Sequence, residues 1–453
     1  MKNNALIEIL KILKWHSFVR YLLESMRFTQ SIRALVVASA LGGAWLQTLT
    51  AQDEDGHHHH HHSDPVEFHA NVGLFGKSSA FASLRDNARR DSYSMLYATM
   101  LMKAQAFETI DFGLGISAFV PFSMDTTFGG SRYNYIESRF TTSTAYVGYE
   151  KKFENLSFGI KAGRFEDEFD WVGHSLQGAY GYIQNPYFKL YGLWVDEQAH
   201  ITREFATDFN FYRHLYDGKN LFAGGFNLTL PFVEIAPFAY HMQEFFDVFG
   251  GKVILSFGGV DGWQSTTFLH YAYLNSTFAH NSHHDHDHSH DDGHGHTTGE
   301  RGDTFLVWAE QAIAYRDLLE FGAGYQKVGN HFFEIANMGS ISRFEAHNHA
   351  HNGFGVIQPG GMHSGSQTTN MYEERTSSIY GFVDVNFGKG AVEILGRDSR
   401  SVSKIQSAYS LGVRYAATLD VEIGAIGVYM LERLEHQSTI NRSFGKAYVQ
   451  YSF

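Results

Sequence analysis

Closely spaced histidines are the side chains of this sequence with the clearest capacity for chemistry. The run HHDHDHSHDDGHGH at 283–296 interleaves imidazoles with aspartates. Imidazole is a ligand for nickel, copper and zinc, and neighbouring carboxylates can orient it. The candidate metal ligands are His283, His284, His286, His288, His290, His294 and His296. Because their spacing defines no single coordination geometry, we expect loose capture of nickel or zinc and no required cofactor.

Other interpretations of the histidines stay open. The 283–296 run could be a solvated low-complexity loop without a ligand, or a loop that responds to pH. A second patch, HNHAHNG at 347–353, would place its three imidazoles on one side if the backbone were extended. The hexahistidine at 57–62 resembles an expression tag but could be native, so it supports no functional conclusion.

Charged residues within alternating apolar segments are the second group of chemical interest. In SIYGFVDVNF (378–387) and SAYSLGVRYAA (407–417), one parity is apolar and the other mixes small, polar and charged residues. A period of two predicts strands, and charges on the small parity must face water rather than lipid. These charges would either create a transverse field favouring small polar solutes or pair with one another. The predicted inward residues are Lys161, Glu310, Arg316, Asp384, Glu393, Arg397, Arg414 and Glu422.

Catalytic motifs and nucleic-acid signals are missing from the sequence. We find no G-x-S-x-G, H-E-x-x-H or glycine-rich phosphate loop, and the chain contains no cysteine. We therefore predict that the protein is not an enzyme. The formal net charge of −13 argues against nucleic acid as a partner.

Composition and the spacing of turns indicate which elements position these residues. Aromatic residues make up 15% of the chain, and there are 45 glycines but only 6 prolines. Short turns alternate with long polar stretches from about residue 66 to the end, which is typical of periplasmic turns and extracellular loops. The sequence predicts an all-β, transmembrane antiparallel β-barrel of about 18 strands over 66–453. A soluble β-protein would share the alternation, but not the aromatic lipid-facing parity.

The N-terminal region predicts an exported protein. Arg27 and Arg33 precede the apolar run ALVVASALGGAWL at 34–46, which has the length of a signal-peptide core and is too short to span a bilayer. We predict a leader with a signal peptide at 1–51, with Met26 as a candidate true start, and a His-rich periplasmic segment at 52–65. The alternative is an N-terminal membrane anchor.

The C-terminal residues predict how the chain reaches its membrane. Ala447, Val449, Tyr451 and Phe453 share one face of a final strand. An apolar alternating strand with a terminal Phe resembles the recognition strand that the barrel-insertion machinery of bacteria reads. The expected partners are therefore this machinery, outer-membrane lipid and small polar solutes.

A family resemblance rests on the strand order, on the segment KAGRFEDEFDWVGHSLQGAY (161–180) and on the ending YVQYSF. Together they resemble the Opr-type porins of epsilon-proteobacteria, distant relatives of the OprD family of 18-stranded channels. The resemblance implies that the loop after this strand folds into the pore. It also implies that Lys161, Arg164, Glu166, Asp167, Glu168 and Asp170 lie near the narrowest point. The His-rich insertions depart from the family pattern.

These observations predict a porin of the bacterial outer membrane that allows passive diffusion of small hydrophilic solutes or ions. Nickel or zinc capture by surface loops is an added hypothesis. The alternative function is a non-conducting barrel that acts as an adhesin or structural surface protein. An energised metal receptor is disfavoured, because only about 15 residues separate the predicted cleavage site from the first strand and leave no room for a plug.

Overall fold

A computed structural model describes residues 66–453 apart from 79–90, 108, 127–138, 168, 170, 174, 200, 202, 204–206, 260, 277–301, 334–370, 435–438 and 442. The predicted leader, the hexahistidine and both histidine patches therefore lie outside the described residues. No helix within the described ranges is long and apolar enough to cross a membrane.

The described chain is a succession of antiparallel strands. The first ten are β1 (Val66–Ser78), β2 (Asp91–Ala106), β3 (Ile110–Thr126), β4 (Phe140–Lys152), β5 (Ser157–Glu166), β6 (Ser175–Gln184), β7 (Phe188–Ala199), β8 (Leu221–Leu230), β9 (Val233–Met242) and β10 (Phe246–Gly258). The others are β11 (Trp263–Ser276), β12 (Thr304–Tyr315), β13 (Leu319–Val328), β14 (Ser377–Phe387), β15 (Gly390–Arg400), β16 (Lys404–Ala416), β17 (Val421–Leu434), β18 (Ile440–Asn441) and β19 (Phe444–Ser452). A short helix, α1 (Phe211–Leu215), lies between β7 and β8.

The strands form one closed wall. Each pairs with its neighbours in the chain, and β1 pairs with β19 in a register that runs from Asn71↔Ser452 to Ser78↔Gly445. The two-residue β18 and the longer β19 both pair with β17, at successive positions along it. They therefore count as one strand of the wall. The result is the predicted antiparallel barrel of eighteen wall strands, in which no edge is left open to pair with another chain.

The two ends of the barrel differ in their connections. At one end the hairpins are short, as at 185–187, 231–232 and 388–389, and this is the end expected to face the periplasm. The opposite end carries the long connections. Two of its connections are nevertheless short, at 243–245 and 401–403.

The two parities of each strand face different surroundings. On β14, Ile379 is 63% exposed, whereas Tyr380 and Asp384 on the opposite parity are 4% and 2% exposed. An exposed apolar row is stable only against lipid, so this parity is the outer surface of the barrel. Trp263 and Tyr315, with ring centroids 5.0 Å apart, lie on the outer surface at the short-turn end, as expected of an interfacial aromatic girdle.

Inward glycines make room for tyrosine rings along the wall. In six directly opposed cross-strand pairs, a Cβ added to the glycine would overlap the ring of its partner. The pairs are Gly73–Tyr97, Gly113–Tyr146, Gly159–Tyr182, Gly225–Tyr191, Gly324–Tyr380 and Gly424–Tyr448. Each ring therefore lies flat against the wall instead of projecting into the lumen. This arrangement is one structural use of the many glycines and tyrosines.

Candidate channel lumen

The chain between β5 and β6 folds into the lumen. Phe169 and Val172 exchange backbone hydrogen bonds of 2.6 and 2.8 Å, which close a tight loop. The indole N–H of Trp171 donates to Nε2 of His270 at 3.1 Å, and the backbone N–H of Trp171 lies 3.4 Å from the Tyr240 hydroxyl. Because Tyr240 is on β9 and His270 on β11, this loop crosses the lumen to a different part of the wall.

Aromatic packing surrounds the tip of this loop. The Trp171 ring lies 5.4 Å from Phe333 and 6.0 Å from Tyr372, measured between centroids. Phe169 meets Tyr180 edge-on at 5.0 Å. Edge-on and tilted pairs of this kind are favourable beyond the area they bury. The Gln198 amide also donates to the carbonyl of Gly173 at 3.2 Å, so the loop is held at several points.

The segment between β7 and β8 crosses the lumen in another direction. Ile201 packs against the aromatic cluster of the opposite wall, and the Arg203 guanidinium lies 4.2 Å from the centroid of the Tyr448 ring on β19. Its helix α1 is held by the buried Glu197 carboxylate, which accepts the backbone N–H of Tyr212 at 3.0 Å and of Arg213 at 3.2 Å. Two loops therefore narrow the lumen between them.

Carboxylates are concentrated on one side of the lumen. Glu320, Asp384 and Glu393 lie directly opposite one another on β13, β14 and β15. Glu310 on the adjacent β12 accepts a short hydrogen bond from the hydroxyl of Tyr380. Adjacent carboxylates raise the local negative potential on this side of the barrel interior.

Lysines occupy the facing side. The Lys161 ammonium on β5 lies 3.6 Å from the Asp167 carboxylate and 5.0 Å from the centroid of Tyr146. Lys189 on β7 lies 5.3 Å from the centroid of Tyr182. Strand β5, which carries Lys161, and strand β14, which carries Asp384, are nine positions apart in a ring of eighteen, so these two side chains belong to opposite sides of the wall. The fixed charges therefore produce a field across the channel.

Other inward charges pair with neighbours along the wall. Arg414 and Glu422 approach to 3.4 Å, and the Tyr448 hydroxyl donates to Glu422 at 2.8 Å. Arg397, which is 1% exposed, donates to the Gln406 amide oxygen in a short hydrogen bond. These contacts connect strands β15 to β19 through side chains as well as through the backbone.

Most of the charged residues singled out in the sequence have the inward parity. Those that share it with the buried lumen side chains are Lys161, Glu310, Asp384, Glu393, Arg397, Arg414 and Glu422. Asp167 joins them through its contact with Lys161. Glu166 is exposed at the end of β5. Glu168 and Asp170 lie outside the described residues, as do the seven candidate metal ligands.

Two of the expected pore-lining residues do not have the inward strand parity. Arg164 has the parity of the exposed Ile160, and it donates to the side chain of Gln177 at 3.0 Å and to the carbonyl of Thr142 at 3.3 Å. Arg316 follows the last residue of β12, adopts a φ of 51° in the turn, and donates to the carbonyl of Asp261 at 3.0 Å. The Arg164 guanidinium also lies 4.1 Å from the centroid of Phe209 in the β7–β8 segment, so Arg164 contacts one of the lumen-crossing segments from the outward parity of β5.

The sequence interpretation missed four residues of the lumen. Glu320 was detectable, because it has the small parity of LLEFGAGYQ at 318–326. His270 and Trp171 are 99 positions apart in the chain and meet only in the folded barrel. Arg203 likewise reaches Tyr448 through a loop whose path no local pattern indicates.

Comparisons with known proteins agree with this geometry. The family model HP_OMP_2, described as "Putative outer membrane protein", matches residues 61–432. No curated protein sequence matches the chain.

Three crystal structures illustrate the similarity in fold. Acinetobacter baumannii OccAB4 has a TM-score of 0.59 at 9% identity, covering 86% of this chain and 98% of its own. Pseudomonas aeruginosa OpdK has 0.58 at 10%, covering 85% and 98%. Pseudomonas aeruginosa OccD3 has 0.55 at 12%, covering 86% and 91%.

The family match covers most of the barrel and the structures share its wall, so the location of the chain is the bacterial outer membrane. The protein belongs to the HP_OMP_2 family of outer membrane proteins, and its fold is that of the 18-stranded outer-membrane channels.

Proposed function

We propose that the protein is a porin through which small hydrophilic solutes diffuse passively. The observation that carries this proposal is the lumen itself, which is lined by charges of both signs and narrowed by loops that enter from one end. Charged side chains facing the inside of a membrane barrel are stable only beside water or a partner charge. A continuous aqueous path is the simplest arrangement that hydrates them.

The character of the solute follows from the distribution of charge. Carboxylates on β12 to β15 face lysines on β5 and β7, so a dipolar solute gains electrostatic energy when its positive end points towards Glu320 and Asp384. An apolar solute carries no dipole that this field can stabilise, and it has no polar groups for which the lumen side chains could replace bound water. We therefore propose small polar or zwitterionic solutes as cargo.

A planar lipid bilayer tests the proposal. The purified barrel is first checked for folding by its change in gel mobility on heating, and is then added at low concentration. We expect discrete, ohmic conductance steps. A correctly folded barrel that never conducts would contradict the porin proposal and favour the adhesin or structural alternative.

Capture of nickel or zinc by the 283–296 run remains a prediction from the sequence alone. Calorimetric titration of the folded barrel with each metal would test it, with a variant in which all seven histidines of the run are replaced by Gln. Equal binding by both proteins would exclude this run as the ligand.

A further inference from the structure

The contact between Trp171 and His270 has chemistry that the channel proposal does not use. Trp171 is 4% exposed and His270 is 2% exposed, so water has little access to their hydrogen bond. An indole N–H can only donate. Nε2 of His270 must therefore accept, which requires that this nitrogen carry no proton.

Protonation of His270 removes this hydrogen bond. An imidazolium has N–H groups on both ring nitrogens and no remaining acceptor. The added proton on Nε2 would point at the indole N–H from 3.1 Å, and two donors cannot share that space. The protonated ring would also be a charge buried among aromatic rings, with Phe238 stacked on it at 5.3 Å.

The charged and phenolic side chains that the structure describes around His270 belong to the strands and the segment packed against it. On β10, Lys252 lies directly opposite His270, and it approaches Glu234 of β9 to 3.9 Å. On β12, Trp308 is opposite His270 and Glu310 is opposite Phe268. Three tyrosines lie near this contact. Tyr240 on β9 and Tyr372 of the segment before β14 contact Trp171, and Tyr380 on β14 accepts a hydrogen bond from Trp308. Protonated His270 would be a second positive charge beside Lys252 on the wall, which raises the electrostatic cost of keeping the ring buried under the loop.

We propose that His270 is a positioning residue of the channel, which holds the β5–β6 loop across the lumen through Trp171 and releases it when the imidazole is protonated. The inference rests on the proposed porin function for its physiological meaning. The loop narrows the lumen at neutral pH and moves away from the β9–β11 wall in acid, so the channel admits larger solutes and conducts more when the medium is acidic.

Single-channel recordings over about pH 8 to pH 5, the range in which histidines titrate, test the proposal. For the wild type we expect a state of higher conductance whose occupancy relative to the resting state rises about tenfold per pH unit, as one proton requires. In His270→Gln the amide oxygen can accept from the indole but does not titrate. This variant should keep the resting conductance at every pH.

Two further variants make the test specific. Trp171→Phe keeps an aromatic ring but removes the donor, so it should show the high-conductance state already at neutral pH. His241→Gln is the matched control, because His241 is a second barrel histidine whose ring nitrogen has a side-chain partner, Asp247 at 2.6 Å, but it lies on the outer surface. It should retain the wild-type pH response. A full pH response in His270→Gln would overturn the proposal.

Tryptophan fluorescence separates this proposal from the porin proposal. The emission difference between wild type and Trp171→Phe reports the surroundings of Trp171 whether or not the barrel conducts. We expect a buried indole at neutral pH and a red shift in acid, absent in His270→Gln. A red shift without conductance would contradict the porin function alone, whereas an unchanged spectrum would contradict the proposed release.

Discussion

At the scale of single residues, the lumen combines charges that face the solute with charges that brace the wall. Arg397 and Gln406 are buried and bonded to each other, so replacing either leaves a buried polar group without its contact. Asp384 is as buried as Arg397, but with Glu393 it belongs to the carboxylate row on the side of the wall opposite the lysines. The two sets should respond differently to substitution, the first through stability and the second through ion selectivity.

Neutralising the carboxylate row should reduce preference for cations. In the double variant Asp384→Asn and Glu393→Gln, each lost charge about 10 Å from a passing ion removes about 0.4 kcal/mol, or about a factor of two in relative permeability. The reversal potential in a salt gradient measures this shift towards anions. Asp398→Asn is the control, because Asp398 lies on β15, as Glu393 does, but is exposed on the outward parity.

Removing the Arg203 side chain should widen the channel. In Arg203→Ala the guanidinium no longer lies over the Tyr448 ring, and the β7–β8 segment loses a contact with the far wall. We expect a higher single-channel conductance than that of the wild type. Arg213→Ala removes an arginine from the same segment, but one that is 72% exposed, and should leave the conductance unchanged. Equal conductance in all three proteins would mean that Arg203 does not narrow the path.

At the scale of secondary-structure elements, the fit between opposed strands depends on glycine as much as on hydrogen bonds. The Tyr380 hydroxyl accepts from the indole of Trp308 at 2.6 Å and donates to Glu310, and its ring occupies the space above Gly324. A side chain at Gly324 would push the ring into the lumen and break this chain of hydrogen bonds.

The variant Gly324→Ala should therefore be less stable, by about 1–3 kcal/mol, as overpacked sites commonly are. The denaturant midpoint of the refolded barrel measures the loss. Gly427→Ala is the control, because an added Cβ at this exposed outward position meets nothing within 4 Å. If both variants unfolded at the same denaturant concentration, the Gly–Tyr pairs would not contribute to stability as we describe.

The same elements show what a sequence can and cannot reveal. Alternation identified the strands and the inward parity of Asp384 and Glu393, because side-chain direction follows from position alone. The same alternation predicted an inward side chain at Arg316. This residue follows the last residue of β12, where the backbone already turns and strand parity no longer sets the side-chain direction. The contacts of Trp171 and Arg203 join distant parts of the chain. The alternation of apolar and polar residues within a strand does not indicate which distant residues meet.

At the scale of the whole molecule, closure of the wall depends on one seam between β1 and β19. Without that seam each of the two strands would present an unpaired edge to the membrane, where exposed backbone groups cost several kcal/mol each. The stability of every hairpin is therefore tied to the pairing of strands at opposite ends of the sequence.

Cysteine cross-linking across the seam tests its register in a chain that has no cysteine of its own. Val72 lies opposite Tyr451, so the double variant Val72→Cys and Tyr451→Cys should oxidise to a disulfide that changes gel mobility after boiling. In the control, Val72→Cys is combined with Val449→Cys, two residues out of register. More efficient cross-linking of the control pair would show that the seam has a different register.

The loops that enter the lumen arise from two hairpins, whereas closure depends on all the strands. Mutations that alter what the channel admits can therefore accumulate in β5–β6 and β7–β8 with little penalty to insertion. Such a protein is easily diversified: its cargo can change within a lineage while its architecture is inherited unaltered. Conversely, shared architecture is a poor guide to shared cargo, which has to be determined for each member from its own loops.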